Sequence, residues 1–78
     1  MREWLELERI KHGYSKAKMA SMLGISESYY FLIEAGERQK KMDMELAGKL
    51  SGILQIPIIE IIDNERRQPQ TERTIWNE

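Results

Sequence analysis

The sequence predicts an all-α domain, and two observations carry that prediction. Short stretches open on a Ser or Asp that can cap a helix and close on a glycine that can end one. Further on, Leu46, Leu50, Ile53 and Leu54 follow the i, i+4, i+7, i+8 spacing of one buried helix face. With 78 residues there is room for one domain and a tail. A domain this small buries a low fraction of its surface, so caps, tight helix packing or a partner subunit are valuable to it.

Residues 2 to 12 are good helix formers, with Glu3 and Glu6 in the early turns and Arg9, Lys11 and His12 in the last. Those signs match the helix dipole, and Gly13 supplies the stop. Ser15 is the next N-cap, opening a helix from Lys16 to Leu23 with Met19, Ala20 and Leu23 on its buried side. Gly24 can take the positive φ of a tight turn, Ile25 is an apolar plug, and Ser26 caps a third helix that runs to Ala35 before Gly36. So short a connection forces two short helices to cross, which is the helix-turn-helix arrangement. Residues 37 to 42 read as a polar, basic loop, and Asp43 caps the amphipathic helix. Pro57 suits the first position of a last helix, Pro57 to Asp63, whose Ile58, Ile59, Ile61 and Ile62 are too many for one narrow face. Residues 1–63 are thus expected to form the domain. Residues 64–78 read as a polar tail in which Thr74, Ile75 and Trp76 could dock.

Composition excludes several function classes. There is no cysteine, hence no disulfide and no thiolate metal site or nucleophile, and the cytoplasm is the natural compartment. The single histidine, His12, reads as a solvated helix-end residue, so neither a metal nor a cofactor is expected. Ser15, Ser21, Ser26, Ser28 and Ser51 have no base beyond His12, Glu34 and Glu37 read as surface acids, and no glycine-rich phosphate loop exists; the chain is not expected to be an enzyme or to take a small-molecule substrate. Apolar runs are too short to span a bilayer. A net charge of -1 opposes nucleic-acid binding, yet Arg9, Lys11, Lys16 and Lys18 share an acid-free window and Arg38, Lys40 and Lys41 cluster again, so a local basic face is open to it.

The segment Ser15 to Gly36 reads SKAKMASMLGISESYYFLIEAG. It resembles the phage-repressor-like (Cro/C1, or XRE-type) helix-turn-helix family in Ser15, Ala20, Leu23, Gly24, Ile25, Ser26, Ile33, Glu34 and Gly36. The likeness extends from Trp4 to Ile62 through Arg9, Gly13, Glu45, Leu46, Ala47, Leu50, Leu54 and Pro57. The resemblance implies a compact five-helix, lambda-repressor-like DNA-binding domain whose third helix lies in the major groove of double-stranded DNA. If Tyr30 and Ile33 face the core, the rotation of about 100° per residue turns Glu27, Ser28, Phe31 and Leu32 outward as base-edge candidates. Lys16, Lys18, Arg38, Lys40 and Lys41 are the phosphate candidates. Where relatives carry Gln, Ser and Arg, this chain has Lys16, Phe31 and Leu32, and its loop 37–44 is longer and lacks proline.

The resulting expectation is a sequence-specific transcriptional regulator, a homodimeric repressor of the phage or mobile-element kind, with Ile58, Ile59, Ile61 and Ile62 as its dimer face. A second reading, from another class, is an adaptor or antitoxin-like interaction module. In it Phe31, Leu32, Ile75 and Trp76 make an apolar docking surface independent of DNA.

Overall fold

In the computed structural model, which describes residues 1–67, five helices follow one another: α1 (Glu3–Lys11), α2 (Lys16–Leu23), α3 (Glu27–Ala35), α4 (Met44–Leu54) and α5 (Ile58–Arg67). Among the described residues there is no strand. The boundaries of the middle helices are written by their caps. Ser15, Ser26 and Asp43 each stand extended just before a helix and accept a backbone N–H from its first turn, at 3.0, 3.1 and 2.8 Å respectively. Gly24 and Gly36 close α2 and α3 in the left-handed region, with φ of 74° and 84°, where a side chain would be strained.

Helix α3 packs on α2 and α1, and α4 packs on α2 and α5. The shared core is Leu5, Met19, Ala20, Leu23, Tyr30, Ile33, Leu46, Ala47, Leu50, Leu54 and Ile61, with Trp4, Ile25 and Ile53 packed against it. The heptad-like spacing read for α4 is therefore its core face.

The last helix differs from expectation at both ends. Pro57 precedes it instead of opening it, and its carbonyl accepts the N–H of Glu60 (2.9 Å) and of Ile61 (3.3 Å). Its far end passes Asp63 and continues through Arg67, so Asn64 to Arg67 belong to a helix and not to a tail. Residues 68–78, with Thr74, Ile75 and Trp76, lie outside the described residues. Of the four isoleucines expected on a dimer face, Ile61 is a core residue at 1 % exposure, because the 3.6-residue period turns it toward α4. Ile58, Ile59 and Ile62 stay exposed.

Two buried ion networks tie the helices together. The Arg9 guanidinium donates to Glu34 through Nε (2.9 Å) and Nη2 (3.3 Å) and to the Tyr14 carbonyl (3.0 Å), while the Tyr30 hydroxyl donates to the same Glu34 carboxylate at 2.7 Å. Glu34 is 2 % exposed, which corrects its reading as a surface acid. It sits one turn after Tyr30 on the buried side of α3, and its charge is tolerated there because Arg9 neutralises it.

The second network centres on Arg2, whose side chain is completely buried. Its Nε donates to Glu65 at 2.8 Å and its Nη2 to the other Glu65 oxygen at 3.1 Å. Nη1 donates to the carbonyls of Ile33 (2.6 Å) and Arg38 (3.1 Å), and Nη2 also to that of Gln39. Every N–H of the guanidinium fork is thereby used. Trp4 Nε1 donates to Glu65 as well, at 2.7 Å. Glu65 thus ties the part of α5 beyond Asp63 to the start of α1, one turn after the core residue Ile61.

Candidate nucleic-acid interface

The outward side of α3 is what its buried side leaves over. With Tyr30, Ile33 and Glu34 turned inward, Glu27, Ser28 and Phe31 are exposed and Leu32 is half-buried, and these four line one shallow open depression. The expected base-edge candidates are therefore brought together on a single face. That face is held still from behind, since the Arg9–Glu34–Tyr30 contacts fix α3 to α1 and the Ser26 cap fixes its start. Burial, and then the neighbouring Glu34 carboxylate, push the Tyr30 hydroxyl well above the ordinary tyrosine range, so it remains a donor. The same carboxylate holds the Arg9 guanidinium charged.

The turn between α2 and α3 consists of Gly24, Ile25 and Ser26. Ile25 packs against the core and its N–H returns to the Ala20 carbonyl at 3.0 Å, so the plug expected there is made by backbone and side chain together.

Charge around the depression is redistributed relative to the sequence reading. Arg9 is withdrawn into the core by Glu34, and Lys11 reaches Glu8 at 3.4 Å, so among the described residues the acid-free window leaves Lys16 and Lys18 as its unshared cations near α2. Lys18 is exposed. Lys16, at the first position of α2, leans across to α3 and places Nζ 4.7 Å from the centre of the Phe31 ring. Arg38 is exposed just past the end of α3, with Nη1 on the Glu37 carbonyl at 3.3 Å. Lys40 and Lys41 are exposed but go elsewhere: they border a different groove, about 520 Å³, with Met42, Ile61, Ile62 and Arg66.

The loop after α3 is more ordered than a polar, basic stretch implies. Gln39 adopts a positive φ of 56°, and its amide donates to the Tyr29 hydroxyl (3.3 Å) and to Asp43 (3.1 Å) while its oxygen accepts the Asp43 N–H (3.0 Å). Arg2 holds the Arg38 and Gln39 carbonyls from the other side. Arg2 and Glu65 are the positioning residues that the sequence reading missed. Their separation of 63 positions leaves no local periodicity to reveal the pair. His12, read as solvated, is half-buried and stacks on Tyr14 with ring centres 5.4 Å apart.

Among the described residues no group of three His, Asp or Glu side chains is placed to hold a metal ion, and no helix is long and apolar enough to cross a membrane. What remains is a pair of short helices on a three-residue turn, presenting one row of α3 with cations beside it; the molecule is a helix-turn-helix protein. Residues 5–61 match the family model described as helix-turn-helix, and the chain belongs to that family, of the XRE-type or Cro/C1-like kind. The family is one of DNA-binding regulatory domains. No curated protein sequence and no solved structure gives a match to the chain.

Proposed function

We propose that the chain is a sequence-specific transcriptional regulator, acting as a homodimeric repressor whose α3 reads the major groove. The observation that supports this best is the row Glu27, Ser28, Phe31 and Leu32, gathered in one depression on the outward side of a helix pinned by buried hydrogen bonds. A preorganised row of this kind suits base-edge readout. Glu27 accepts from a cytosine amino group, Ser28 bonds to several bases, and Phe31 or Leu32 packs on a thymine methyl. Lys18 and Arg38 meet phosphate on either side of the reader, and Lys40 and Lys41 add to the positive field from the α5 side. Exposed Ile58, Ile59 and Ile62 make the dimer face, setting two readers about 34 Å apart on a pseudo-palindrome.

The test is a fluorescence titration against a random-sequence DNA pool, with sequencing of the bound fraction, at two salt concentrations. Enrichment of a two-fold-symmetric site, with affinity falling as salt rises, is the expected outcome. The exposed Phe31 ring is the observation that favours a protein-interaction module instead. An absence of DNA binding even at low salt would shift the reading to that class.

A further inference from the structure

The first turn of α2 carries two lysines and no acid. Positive charge at a helix N-terminus is repelled by the partial charge of the unsatisfied N–H groups, so the Lys16 ammonium gains by swinging away from the axis of its own helix. Among the described residues Lys16 takes part in no ion pair that would draw it elsewhere. Its Nζ rests 4.7 Å from the Phe31 ring centre, inside the roughly 6 Å over which a ring face attracts a cation. Phe31 in turn stands in the depression with Glu27, Ser28 and Leu32. An ammonium that would otherwise be free to wave along a phosphate backbone is therefore parked over the base-reading row.

We infer that Lys16 is a specificity residue, not a phosphate clamp, and that Phe31 positions it: the ring holds Nζ where it donates to the O6 and N7 acceptors of a guanine in the major groove. This rests on the DNA-reading proposal above and sharpens it. Guanine is the base whose major-groove edge offers two adjacent acceptors and no donor, which is what a compact three-donor cation matches. Phe31 then has a double task. Its ring face carries the cation, and it excludes water from beside the contact.

The experiment compares the bound-sequence profiles of the wild type, Lys16→Met, Phe31→Leu and the double variant, with thermal melts to confirm that all four fold alike. Leucine keeps an apolar side chain at position 31 but has no ring face. One base pair in the wild-type profile should favour guanine, and both single variants should lose that preference, by about five- to tenfold, the lower end of what a good base contact supplies. The double variant should lose no more than either single one, because the two side chains act as one unit. If Lys16→Met weakens binding to every sequence equally and keeps the guanine preference, Lys16 is a phosphate contact and the inference is overturned. Loss of a thymine preference in Phe31→Leu, with guanine intact, would also overturn it, since Phe31 would then read a methyl group directly. A wild type that enriches no sequence at all removes the DNA-reading proposal itself and this one with it.

Discussion

Truncating Glu34 to alanine should come close to unfolding the protein. The carboxylate accepts three hydrogen bonds, two from Arg9 and one from Tyr30, and is 2 % exposed. Removing it leaves a guanidinium that is itself almost wholly buried without its counter-charge, which in comparable sites costs about 3–5 kcal/mol. The Tyr30 hydroxyl is left without its acceptor as well, adding about 1–3 kcal/mol. Arg9 retains the Tyr14 carbonyl and touches the edge of solvent, so about 4 kcal/mol is the reasoned loss. The described residues 1–67, at roughly 0.05–0.15 kcal/mol per residue, have only about 3–10 kcal/mol to lose. Urea unfolding followed by far-ultraviolet circular dichroism measures the change. The triple variant Arg9→Met, Tyr30→Phe, Glu34→Leu supplies the control: with both the charges and the orphaned hydroxyl gone, it should lie within about 1–2 kcal/mol of the wild type. A loss below about 1 kcal/mol in Glu34→Ala would refute the reasoning, because it would mean that the buried pair had been reached by water all along.

Three further outcomes are expected. Since folding raises the Tyr30 pKa, stability is complete below the ordinary tyrosine value of 10.0 and declines as pH rises beyond it; Tyr30→Phe should flatten that alkaline decline in melts recorded across the range. Asp43 runs the other way. Its carboxylate is held below the usual range, first by the Leu46 N–H and then by the Gln39 amide, so its contribution is present above the ordinary Asp pKa and is lost as pH falls through the depressed one. Asp43→Asn keeps a capping oxygen and should remove that acid dependence from the melting curves. On α5 the two sides of the helix should separate cleanly: Ile61→Ala should lower folding stability by about 2–5 kcal/mol. Ile59→Arg, at a position 67 % exposed, should leave the fold intact and weaken self-association in sedimentation.

Nearly everything settled by neighbours in the chain was legible in the sequence. Ser15, Ser26 and Asp43 bond to N–H groups three residues away, and Gly24 and Gly36 answer to their own φ, so a short window contains the whole interaction. The outward row of α3 was legible for the same reason: once Tyr30 and Ile33 are placed inside, helical rotation leaves no choice for Glu27, Ser28 and Phe31. Glu34 carries a signal of its burial in its position on α3. It lies four residues after Tyr30, and an acid on a core-facing stripe announces a buried partner. Arg2 and Glu65 carried no comparable signal, because an ion pair across the whole domain leaves no trace in either residue's surroundings. The polar run Asn64 to Arg67 looked like a tail only because the partner of Glu65 stands at the opposite end of the chain. Lys16 is legible as a cation beside α3, whereas its place 4.7 Å from the Phe31 ring centre is a contact between two helices.

The Arg2–Glu65 clasp also orders events in time. The α2–α3 pair closes over a three-residue turn, whereas the clasp joins positions 63 apart and must wait until most of the chain is in place. Interactions that form after the transition state act on the rate of leaving the native state, not on the rate of reaching it. Glu65→Ala should therefore shift the unfolding arm of a stopped-flow chevron upward and leave the refolding arm nearly where it was. The clasp is then a latch on the lifetime of the folded protein. With the start of the chain latched to α5, loosening the one side chain at residue 2 would shorten the persistence of the fold without touching the outward row of α3.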